Sequence, residues 1–64
     1  MNLPEGFKSL KDNEPPLLED ILIITEDGKR IVGYYAGKRY GKDEYCTATD
    51  DENIENAVGW IPMI

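Results

Sequence analysis

Apolar residues along this chain fall into blocks separated by charged or glycine-containing stretches. Leu17 and Leu18 lead into Ile21-Leu22-Ile23-Ile24. Ile31-Val32 and Tyr34-Tyr35 form a second block, and Val58, Trp60, Ile61, Met63 and Ile64 close the chain. The first two blocks are short, rich in β-branched residues and separated by Glu-Asp-Gly-Lys. They therefore predict a β-hairpin over residues 19–35; a helix would need a longer run with a 3.6-residue period. Asp27-Gly28 suits a two-residue type I′ turn, whose central positions both need positive φ. That loop places Thr25 opposite Arg30, Ile24 opposite Ile31, Ile23 opposite Val32, Leu22 opposite Gly33 and Ile21 opposite Tyr34. Because side chains alternate, one face carries Leu22, Ile24, Ile31 and Tyr35, and the other Ile21, Ile23, Val32 and Tyr34.

Both faces of this ribbon are apolar, whereas a strand wet on one side alternates apolar with polar. Each side therefore needs a cover, from the rest of the chain or from another molecule. An isolated hairpin is also marginal in water, so further strands are expected.

The flanking segments supply candidates. Residues 1–16 read as an arm. Pro4 and Gly6 interrupt any helix, and Pro15-Pro16 enforces extended backbone. Phe7 and Leu10 are expected to fold back over one hairpin face. The stretch from Ala36 to Asp43, with Gly37 and Gly41, reads as a charged loop. Residues 44–49 read as a third strand, with Tyr45 and Thr47 on one face and the small Cys46 and Ala48 packing inward on the other. Thr49-Asp50-Asp51-Glu52 matches a capping box, so it opens either a short helix ending near Gly59 or an irregular acidic loop. Residues 58–64 form a last strand, with Pro62 at an edge or end. Trp60 is expected in the core, beside the gap that Gly33 leaves. The expected fold is one all-β domain spanning residues 1–64. Three to five antiparallel strands form a small sheet or half-barrel around the central hairpin, with at most one short helix.

Size changes this picture in one respect. A chain of 64 residues buries only about 60% of the surface that it exposes when unfolded, and such domains often lean on disulfides, metals or self-association. The single cysteine, Cys46, excludes an internal disulfide, and without histidine no ordinary zinc site can be assembled. Self-association, for instance a homodimer, is the remaining route. No apolar run approaches a transmembrane helix and the N-terminus lacks a signal-peptide pattern, so a cytoplasmic location is the default.

The net charge of −6 opposes direct nucleic-acid or anionic-membrane binding and favours a cationic protein surface as partner. No catalytic constellation is present, and no enzyme activity is expected. Cys46 has no histidine to activate it, and the paired carboxylates lack an evident cleft. Lys42 is followed by Asp43, not by the Ser or Thr of a phosphate loop. The Asp-x-Asp-x-Asp-Gly spacing of a calcium loop is also missing, so neither metal nor cofactor is expected.

Three binding readings remain open. Asp50, Asp51, Glu52 and Glu55 form an acidic run suited to steering a basic partner protein. Joined by Asp43 and Glu44, the same carboxylates could mimic DNA phosphates. Alternatively, Tyr34, Arg39 and Tyr40 could stack on a base and pair with a phosphate, as a nucleotide-sequestering protein would require.

Several pieces of the chain resemble a small phage and prophage domain family of unknown function. They are Phe7-Lys8-Ser9-Leu10-Lys11-Asp12, Pro15-Pro16, Ile21-Leu22-Ile23, Asp27-Gly28, Gly33-Tyr34-Tyr35 and Trp60-Ile61-Pro62-Met63-Ile64. Phe7 stands where that family usually has Trp, Ile64 replaces a final proline, and residues 50–55 have no counterpart. The resemblance implies a compact β-rich fold and a bacteriophage or prophage origin, and it carries over no catalytic residue. By analogy, it points to a host protein, such as a defence protein, as the partner to be inhibited or modulated inside the host cell.

Overall fold

A computed structural model describes residues 3–63. Five strands, β1 (Lys8–Ser9), β2 (Asp20–Thr25), β3 (Arg30–Arg39), β4 (Lys42–Thr47) and β5 (Ala57–Pro62), form one open antiparallel sheet in the order β1-β5-β2-β3-β4. The described residues contain no helix, and none is long and apolar enough to cross a membrane. The acidic stretch after β4 is a turn. Its backbone groups at Asp50 and Glu52 donate to the Thr47 hydroxyl, which takes the anchoring role expected of Thr49.

The central hairpin forms, but its loop has three residues instead of two. The Gly28 amide donates to the Thr25 carbonyl (3.0 Å) and the Thr25 amide to the Lys29 carbonyl (2.9 Å). Gly28 has φ +90°, while Asp27 is not among the positive-φ residues. This is the longer hairpin loop, a right-handed turn closed by a left-handed glycine. Thr25 explains the choice. Its hydroxyl donates to the Asp27 carboxylate and accepts the Lys29 amide (3.1 Å), which holds the loop in this form.

That extra loop residue shifts the register by one. Ile21 faces Gly33, Leu22 faces Val32 and Ile23 faces Ile31. A one-residue slip exchanges the faces of β3 relative to β2. The inner face therefore carries Ile21, Ile23, Ile31 and Tyr35. The outer face carries Leu22, Ile24, Val32 and Tyr34. The two-residue positive-φ turn does occur, but at Tyr40-Gly41 (φ 52° and 77°), so β3 and β4 continue through the stretch expected to be a loop. A bulge at Ala36, with Gly37 at φ +95°, absorbs one residue on the way.

The inner face holds the core: Ile21, Ile23, Tyr35, Tyr45, Ile54 and Trp60, with Leu10, Ile31 and Ala57 packed against it. Trp60 pairs with Ile23 and is core, as expected. Two details of the packing differ from expectation. Tyr45, opposite Tyr35, points inward with ring centroids 5.2 Å apart, so Cys46 and Ala48 lie on the outer side. The gap at Gly33 is filled by Ile54, not Trp60; a Cβ on Gly33 would stand 3.2 Å from Ile54 Cδ1. The arm divides between the faces instead of covering one. Leu10 joins the core, while Phe7 lies beneath the Arg30 guanidinium (5.8 Å), on the outer side.

Candidate functional site

The outer face is one of the places where the fold leaves apolar surface partly uncovered; Leu17 and Leu18, at the end of the arm, are another. Register places its side chains in rows across the strands. Leu22 is flanked by Ile61 of β5 and Val32 of β3, and the Ala48 amide donates to the Val32 carbonyl (3.0 Å). One row thus reads Ile61, Leu22, Val32, Ala48. The adjacent row holds Asp20, Tyr34 and Cys46. On the other side, Ile24 and Gly59 are capped by Leu3, whose methyl carbons would meet a Cβ on Gly59 at 3.0–3.1 Å. The arm therefore covers this end of the face and, through Gly6, reaches Ile61; a Cβ on Gly6 would stand 3.4 Å from Ile61 Cδ1. Val32 remains 40% exposed and Met63, following β5, 49%.

An acidic margin is built onto the same face. The Tyr34 hydroxyl donates to Asp51 Oδ1 (2.9 Å). This bond, with desolvation and the Asp51 charge, pushes the Tyr34 phenol up to about 12, because ionising it would lose the bond and set two negative charges together. Asp51 is held there by its turn: φ is 55°, and its amide donates to the Thr47 carbonyl (3.1 Å). Asp50 and Glu52 flank it and are exposed. Glu55 lies beyond the buried Ile54 and also lines a cleft with Arg39, Tyr40 and Lys42. The acidic run is therefore divided: Asp51 is tied to the outer face by Tyr34, whereas Glu52 and Glu55 both line a cleft with Ile31 and Ile54.

Tyr34, Arg39 and Tyr40 are not brought together. Tyr34 pairs with Cys46 and Arg39 with Lys42. Tyr34 and Arg39 are five positions apart along β3, roughly 16 Å at about 3.3 Å per residue. Arg39 is engaged locally, 3.7 Å from Glu44 and 5.8 Å from the Tyr40 ring, and Tyr40 is 93% exposed.

A second polar arrangement lies on the inner side. The Tyr35 hydroxyl donates to Asp43 Oδ1 (2.7 Å) and sits 3.1 Å from Glu14 Oε1. These carboxylates, with burial, raise the Tyr35 phenol well above its ordinary range; Tyr45 is pushed up to about 12, chiefly by burial. Among the described residues, no three His, Cys, Asp or Glu side chains converge in a way that could hold a metal ion.

The Ile61, Leu22, Val32, Ala48 row escaped sequence reasoning because it exists only in the shifted register. The available signal was Thr25 two residues before Asp27, a side-chain pair that favours the longer loop. No family model, curated protein or solved structure matches the chain.

Proposed function

We propose that this chain is a protein-binding module, phage- or prophage-encoded as the resemblance implies, which docks on a host protein and inhibits or modulates it. The supporting observation is the outer apolar row of Ile61, Leu22, Val32 and Ala48, which the arm reaches only at its Ile61 end and which is bordered by Asp20 and the turn bearing Asp51. An apolar patch rimmed by charge is the usual anatomy of a docking surface. The charge selects the partner. Carboxylates at the margin and a net charge of −6 favour a surface that combines an apolar protrusion with Lys or Arg. A second copy would instead bring like charges together.

Val32→Asp places a charge in the middle of the patch at a position that is already 40% exposed, so the fold should tolerate it. The expected result is that a host protein cross-linked to the wild type is lost with Val32→Asp, and that raising salt weakens the wild-type complex. Unchanged capture by Val32→Asp would overturn the proposal. So would a native mass of two chains for the wild type that fell to one chain in this variant, because the face would then serve self-association.

A further inference from the structure

The inner face carries three aromatic side chains, Tyr35, Tyr45 and Trp60, all buried. Part of their cover is the segment between β1 and β2. Residues 13–16 have no regular secondary structure, yet they are tied down at successive points. The Trp60 indole N–H donates to the Asn13 carbonyl (2.9 Å). Glu14 contacts the Tyr35 hydroxyl, Pro15 is buried, and Leu17 bridges to Tyr35, whose carbonyl accepts the Leu18 amide (2.9 Å). The two prolines fix their own φ, and each proline bars the helical region to the residue before it, so Glu14-Pro15-Pro16 is held extended.

This is the chemistry by which aromatic-lined grooves take polyproline segments from other proteins. The ligand is stiff, loses little entropy on docking and leaves its carbonyls free for an indole donor. Here the ligand belongs to the same chain. Its exit is strained: Leu18 has φ +61°, a left-handed conformation unfavourable for a bulky residue. Leu17 and Leu18 are also 59% and 66% exposed, so only a small apolar anchor holds that end.

We infer that residues 13–17 form a displaceable strap over a second binding groove, and that the groove's outside ligand is an extended proline-rich peptide. The tethered strap competes at high local concentration, so an outside peptide binds the intact protein weakly, in proportion to the fraction of open molecules. The outer-face reading plays no part in this inference.

The probe is a capped synthetic peptide of sequence Asp-Asn-Glu-Pro-Pro-Leu-Leu, read by the fluorescence of Trp60, the sole tryptophan. In a Pro15→Gly/Pro16→Gly variant the strap loses its stiffness, and the peptide is expected to bind at least about tenfold tighter than to the wild type. A peptide with both prolines replaced by glycine should not bind. Hydrogen exchange on the unmodified protein provides an independent readout. If the strap opens alone, the Trp60 indole proton exchanges faster than the Ile23 amide in the sheet. Equal exchange would mean that the strap leaves only on global unfolding, and would overturn the inference even if the variant fails to fold. A folded variant that ignores the peptide would overturn it too. Val32→Asp should change neither readout, so failure here is separable from failure of the outer-face reading.

Discussion

Ile54 occupies the volume that a side chain at Gly33 would need. A Cβ built on Gly33 meets Ile54 Cδ1 at 3.2 Å and Ile23 Cδ1 at 3.0 Å, and collides with the carbonyl oxygen of Cys46. The two side chains could shift, but the carbonyl belongs to the neighbouring strand, where Gly33 pairs with Thr47. Gly33→Ala is therefore expected to destabilise the fold by about 3 kcal/mol, at the upper end of overpacking costs. Chemical denaturation measures the loss. Adding Ile54→Val should not restore stability, because the collision with backbone remains.

The register makes a second prediction. Ile23 is fully buried at 0% exposure, whereas Val32, on the opposite face, is 40% exposed. Ile23→Ala should cost about 3–4 kcal/mol, as full truncation in a packed core does, while Val32→Ala should cost less than about 1 kcal/mol. The two-residue hairpin would have put both residues on one face, at similar cost. Comparing the two variants by thermal or urea unfolding thus tests the pairing directly.

Much of the architecture was legible because strong local signals agreed with the final packing. The β-branched runs of β2 and β3, the turn at Gly28 and the burial of Trp60 all follow from residue type. What was not legible depends on a side chain acting on backbone nearby. The hydrogen bonds of Thr25 lengthen the loop by one residue, and that one residue decides which apolar set faces inward. Tyr40-Gly41 is likewise not a common type I′ dipeptide, so the extension of β3 to Arg39 was hidden behind a charged, glycine-containing stretch. The outer apolar row inherits this dependence; its members are far apart in sequence and adjacent only after the register is settled.

The Thr25–Asp27 contact should be visible in acid. Asp27 lies below its ordinary value of 3.8, mainly because the Thr25 hydroxyl donates to its carboxylate, with smaller help from Lys29. A carboxyl depressed in the folded state adds stability that is present above the ordinary value and lost as pH falls through the folded one. Following the Asp27 carboxyl by NMR during acid titration should place its midpoint below 3.8 in the wild type. In Thr25→Val the midpoint should move back up. An unchanged midpoint would show that the hydroxyl does not hold the loop.

At alkaline pH the sign reverses, and the tyrosines decide it. Tyr34 is raised to about 12 from an ordinary 10.0, first by its bond to Asp51; Tyr45 is raised to about 12, first by burial. Tyr35 is raised as well, by its bond to Asp43 and by burial. The unfolded chain loses these phenolic protons near pH 10, whereas the folded chain keeps them. The stabilisation they give is complete below 10 and disappears as pH climbs through the folded values. Thermal stability should therefore fall between about pH 10 and 12, in step with the appearance of phenolate absorbance. Asp51→Asn separates the contributions. It removes the charge beside Tyr34 and should bring that phenol back toward 10.0 while leaving Tyr35 and Tyr45, on the inner face, where they are. If Tyr34 titrates unchanged in Asp51→Asn, Asp51 is not pinned at the edge of the outer face, and the acidic border of the proposed docking surface is lost with it.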